Sequence, residues 1–244
     1  MLLRPLTKHV KEQNWFAVGL DFLIVVVGVF VGLQVQNWAS EQGRQELEAS
    51  YTLRLHDEVV DLQATRAPLV EAREQSKADL ETLAPLLFGK ENRPITLKEC
   101  DALGYSYIVT NPTDDLASLI ELQQSGRLSM FRNAQVSEAL SHFLLTRARA
   151  RDSQAGVKAT NVTLVSKYPQ LVKVVKYSEQ YIDKQGSAVY SCDLAAMRAN
   201  QGFFNDFQVT QSNYGFHVLD NQRVSQSLVE LHNALDDVLG LDHL

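Results

Sequence analysis

Polarity along this chain has two regimes. Residues 15–38, WFAVGLDFLIVVVGVFVGLQVQNW, are apolar on every helical face, with Asp21 as the one acid and a tryptophan at each end. At 1.5 Å per residue this stretch spans about 35 Å, enough to cross a hydrocarbon core of about 30 Å. Tryptophan suits the headgroup boundary, so Trp15 and Trp38 are expected to be membrane anchors. Beyond residue 38 the apolar positions become periodic. Leu55, Leu62, Leu69 and Leu83 fall in one heptad register with Ser76, and Val59, Leu80 and Leu87 each sit one turn after a member of that row. This predicts a long stalk-like helix over about 40–88 with one buried stripe. Arg66 and Arg73 lie on the stripe, which argues for packing inside a domain rather than for a strict coiled coil. Pro68 is expected to kink the helix and Gly89 to help end it.

Further along, Gly89, Pro94, Gly104 and Pro112 break the pattern, and Tyr105–Thr110 reads as a short extended piece. Thr113 or Asp114 is expected to cap a helix to about Gln124, and Asn133 one over about 134–155. Further helices are predicted near 162–184, 192–200 and 214–239. The fold class is therefore mainly α: a cytoplasmic tail (1–14), a single transmembrane helix (15–38), and a compact helical periplasmic domain (39–244).

Composition adds limits to that picture. Hydrophobic content of 45% and charged content of 21% fit a folded domain with a core, and a net charge of −6 argues against a nucleic-acid partner. Orientation follows from the flanks. Residues 1–13 carry Arg4, Lys8 and Lys11 against Glu12, whereas residues 39–60 are net acidic, so the N-terminus is expected in the cytoplasm of a bacterium. A cleaved signal peptide is the rival, but Gln34–Trp38 does not have the form of a small-x-small cleavage site. Export places Cys100 and Cys192 in an oxidising compartment, where a disulfide between them is expected, with two buried thiols as the other outcome.

Helical phase sharpens the apolar segment. Gly28 and Gly32 each fall within about 20° of Asp21, with Val25 nearby, so the acid and a G-x-x-x-G pair share a face. An intramembrane acid should face protein or water. Three readings of Asp21 remain open: a snorkelling acid near the interface, a hydrogen-bonded helix–helix contact, and a proton carrier. The last is similar in layout to the rod subunits of proton-driven stator complexes, over the span alone.

No catalytic signature is present. His9, His56, His142, His217, His232 and His243 lack the paired spacing of a zinc helix, and there is no nucleophile elbow, P-loop or dinucleotide-binding glycine pattern. Asp236, Asp237 and Asp242 do not have calcium-loop spacing. No catalytic residue, metal or cofactor is expected. Asn161-Val-Thr163 matches the glycosylation pattern by chance. Arg147, Arg149 and Arg151 read as a solvated face. Tyr168, Tyr177, Tyr181, Phe203, Phe204, Phe207, Tyr214 and Phe216 read as mostly core.

Two segments, Leu20–Trp38 and Leu119–Asn133, together resemble a bacterial family of single-span proteins of unknown function. Its members carry an acid, a Val/Ile-rich run with glycine, then Leu-Gln-x-x-Asn-Trp and, later, a Ser-Gly-x-Leu turn, here Ser125-Gly-Arg-Leu128. Asp21 stands where glutamate is more usual, and Ala39-Ser40-Glu41 follows Trp38 in place of Asn-Glu. The resemblance covers most of 15–145 and implies a membrane-anchored helical protein, with no activity attached. The expected function is a non-enzymatic scaffold or sensor that lies in the lipid bilayer and self-associates or joins another membrane subunit through Asp21, Val25, Gly28 and Gly32. The alternatives are a proton-coupled accessory subunit using Asp21, and a periplasmic enzyme whose site is not visible in the sequence.

Overall fold

Apolar and polar residues alike favour one helix at the start of the chain. In a computed structural model, which describes residues 15–177 and 188–242, helix α1 runs from Trp15 to Leu87. The tail 1–14, with its basic residues and His9, lies outside the described residues, as do Tyr181, His243 and the side chains of Trp15, Asp21 and Tyr177. The predicted span and stalk are thus one element, and α1 passes through Pro68 and Pro85 without ending. It stops at Leu87, where Gly89 takes φ +69° and its N–H donates to the Leu86 carbonyl at 3.1 Å.

Contacts divide the chain into two compact units, Met1–Tyr51 and Thr52–Leu244. In the second, three long helices carry the architecture: α1 from Thr52 on, α4 (Ala134–Thr160) and α7 (Gln201–Leu239). Pairing sets their directions. Arg66 meets Asn221, Glu74 meets Gln222 and Leu80 meets Gln211, so α1 and α7 are antiparallel. His142 meets Glu230 and Thr160 meets Asn213, so α4 and α7 are antiparallel too. The stripe forecast on α1 is buried at Leu55, Val59, Leu62, Leu80, Leu83 and Leu87. Its last turns share a core with Phe203, Phe207, Tyr214 and Tyr168. Phe216, by contrast, is exposed.

The smaller elements depart from expectation in instructive ways. Helix α2 (Leu97–Tyr105) ends where an extended piece was predicted to begin. Its start was legible: Thr96 and Glu99 form a capping box, and Arg93 clamps the same carboxylate at 2.6 and 2.9 Å. Helix α3 (Ala117–Gln124) has no side-chain cap of its own. The Glu58 carboxylate, from α1, accepts from the Ser118 N–H at 3.0 Å and from its hydroxyl at 2.7 Å. A tertiary contact replaces the cap expected from Thr113 or Asp114. Asn133 does cap α4, its side-chain oxygen accepting from Gln135 and Val136.

The helix expected over 162–184 is instead a single turn, α5 (Leu164–Lys167), followed by strand β1 (Val172–Tyr177). β1 pairs antiparallel with β2 (Ala188–Cys192), Val172 opposite Cys192. Three β-branched valines in Val-Lys-Val-Val-Lys favour extended backbone over helix, and of them only Val172 is buried. A disulfide joins Cys100 on α2 to Cys192 with Cα atoms 5.8 Å apart. The Tyr190 ring lies so close over Gly104 that a Cβ there would sit 2.3 Å from it. Helix α6 (Leu194–Arg198) and the Asn200 cap then lead into α7, which starts well before the predicted residue 214.

Candidate functional site

Three sets of residues hold chemistry beyond core packing. The first is the apolar part of α1. None of its apolar stretch is buried, and by length and composition this helix can cross a membrane. From Leu20 to Val35 every described large apolar side chain is exposed, as is Trp38. Gly28 and Gly32, with Val25 beside them on the helix, have nothing within 4 Å of where a Cβ would stand. The backbone of α1 is therefore open to close approach along this face. Asp21 lies on the same helix and, by phase, the same face.

The second set is a buried arginine layer. Residues 107–114 have no strand partner among the described residues, and their carbonyls would be orphaned in the interior without donors. Side chains from two helices supply them. Arg66 donates to the Pro112 and Thr113 carbonyls at 3.2 and 2.8 Å, and Arg73 to Thr110 at 2.6 Å. From α4 and its C-terminal cap residue, Arg147 donates to Asp114, Gln154 to Val109 and Asn161 to Tyr107. Arg66 and Arg73 thus break the apolar stripe in order to bind this segment. Burial pushes the pKa of both down, and that of Arg147 likewise, with Arg151 adding to the effect there. Arg147 is buried and Arg151 pairs with Asp114 and Asp115, so the solvated arginine face expected here reduces to Arg149.

Two further shifts in this unit are structural. Arg93 and the hydrogen bonds from Thr96 and Thr82 hold Glu99 at about 2, against the opposing effect of burial. Burial, with the positive charges of Arg73 and Lys158, lowers His217 to about 4.

The third set was not visible in the sequence. His56 on α1 meets His232 and Asp236 on α7. The His56 Nε2 lies 3.1 Å from Asp236 Oδ1 and the His232 Nε2 lies 3.5 Å from the same oxygen. Asp236 is 3% exposed, and the histidines 16% and 12%. On the far side of its ring His56 Nδ1 faces Asp57 Oδ1 at 3.3 Å. The group has no two-histidine i, i+4 spacing, because the spaced pair on α7 is a histidine and an aspartate, one turn apart. Its other histidine lies elsewhere in the chain.

No protein-family model, no curated protein and no solved structure matches the chain. The likeness of residues 15–145 to the single-span family stays a resemblance of motifs.

Proposed function

We propose that the protein is a non-enzymatic, membrane-anchored scaffold or sensor of the bacterial inner membrane, which self-associates within the bilayer and holds its helical unit on the periplasmic side. The observation that carries this reading is the uncovered run Leu20–Val35, apolar on all faces and exposed wherever its side chains are described. Burying each large apolar side chain is worth about 1.5–3 kcal/mol, so a bilayer is the solvent this surface matches. The Cys100–Cys192 bond supports the exported side, since disulfides persist in oxidising compartments. The basic tail and the acidic residues after Trp38 support the same orientation.

Self-association rests on the open backbone at Gly28 and Gly32. The test is the mass of the detergent-solubilised protein. Gly28→Leu with Gly32→Leu is expected to take an oligomer to the monomer mass, and an unchanged mass would reject the helix contact. Asp21→Asn is expected to leave both mass and function intact, because an amide still hydrogen-bonds. An assembled variant that loses function would point instead to a proton-coupled subunit.

A further inference from the structure

We infer that His56, His232 and Asp236 form a zinc-type divalent cation site that ties α1 to α7. The site uses residues of the helical unit alone and does not depend on the membrane reading. Zinc takes imidazole nitrogens at about 2.0–2.1 Å and carboxylate oxygens at about 2.0–2.2 Å in tetrahedral array, so its ligand atoms lie about 3.3 Å apart. Two of the three edges here, 3.1 and 3.5 Å, already have that length. All three ligand atoms lie within 4.8 Å of one another.

The hydrogen-bond geometry at His56 is compatible with that role. His56 has a carboxylate oxygen within hydrogen-bond distance of each ring nitrogen, Asp57 at Nδ1 and Asp236 at Nε2. With a cation at Nε2 the ring stays neutral, its single N–H donates from Nδ1 to Asp57, and the Nε2 lone pair is the ligand. That is the usual second-shell arrangement for a metal-bound histidine. The fold favours positive charge at this point as well. Asp236 and His232 stand at the C-terminal end of α7, whose last turn closes at Gly240 with φ +67°, and the helix dipole is negative there. Three protein ligands leave the fourth tetrahedral position to water or a small anion. A cleft of about 390 Å³ walled by His232, Asn233, Arg66, Gln63 and Val60 adjoins the group.

The experiment uses the full-length chain in detergent, without a histidine tag and stripped of metal. Titration with ZnCl2 against a chromophoric chelator is expected to give one zinc per chain. His56→Ala and His232→Ala are each expected to weaken binding by more than the about 10- to 100-fold attributed to second-shell partners, and Asp57→Asn by an amount within that range. Asp236→Asn keeps the side-chain shape and should also weaken zinc beyond that range while retaining helicity. His142→Ala, which removes an exposed His–Glu pair between α4 and α7 away from the cluster, should leave affinity unchanged. Should a variant misfold, Co2+ loaded into the unaltered protein reads the site directly, with the strong visible absorption of a four-coordinate ion expected. No stoichiometric zinc, equal affinity in the histidine variants, or a pale six-coordinate Co2+ spectrum would overturn the assignment and leave a hydrogen-bonded His–Asp–His contact.

Discussion

Two stretches of one helix differ in almost every respect except their secondary structure. Residues 20–35 of α1 are apolar all round and uncovered, whereas residues 52–87 are apolar along one stripe and buried along it. Both satisfy their backbone internally, so helix formation does not distinguish them. What differs is the angular distribution of apolar groups. A stripe can be covered by one or two neighbouring helices, but a surface apolar on all sides needs a medium that surrounds it.

The largest expected effect comes from charging the first stretch. Arginine near the centre of a span costs about 2.5–3.5 kcal/mol, so Val26→Arg with Val29→Arg should release the protein from alkali-washed membranes. Ala64→Arg with Glu71→Arg, at exposed positions of the second stretch, should leave it there. Membrane retention in both cases would break the comparison.

Next in size is the covalent tie of the helical unit. Cys100 and Cys192 are 92 residues apart, and losing that closure is worth on the order of 4 kcal/mol. Cys100→Ser with Cys192→Ser should lower Tm by roughly 10 °C while leaving membrane fractionation unchanged. A reduced protein that melts at the unreduced temperature would refute this.

Core truncation sharpens the contrast further. Leu55 and Leu83 are each 0% exposed, so Leu55→Ala or Leu83→Ala should cost about 3 kcal/mol in thermal unfolding of the helical unit. Val29→Ala removes apolar atoms from an exposed site and should not move that transition.

The smallest effects are those of pH, confined to the helical unit. With its folded pKa lowered to about 4, His217 resists a proton that the unfolded chain accepts near 6.5. Its contribution is therefore present above pH 6.5 and is lost as pH falls from there towards 4. His217→Gln should flatten Tm across that window. Glu99, held at about 2, contributes above about pH 4.5 and loses that contribution as pH falls towards 2, a slope that Glu99→Gln should remove.

Legibility followed the range of the interactions. The stripe of α1 and the Asn133 cap are local patterns and were read directly. The Thr96–Glu99 box and the valine-rich run of β1 are equally local, but the box is absent from the expected caps, and residues 162–184 suggest a helix because apolar spacing over a short run suits either period. The cap of α3 was not local. It comes from Glu58, while Asp114, the local candidate, is drawn into a pair with Arg151. Likewise, the extended segment 107–114 was foreseen in part, but not that its carbonyls would be bound by Arg66, Arg73 and Arg147 rather than by a neighbouring strand.

By itself the sequence determined which stretch is uniformly apolar, where the stripe of α1 lies, and that Asp21, Val25, Gly28 and Gly32 share a face, because each depends on spacing within a few turns. Only the tertiary structure decided that arginines on an apolar stripe would be donors to a buried segment. It alone brought His56 to His232 and Asp236. Those partners lie some 180 residues apart along the chain, and their meeting is set by the antiparallel packing of α1 on α7, which no local periodicity encodes.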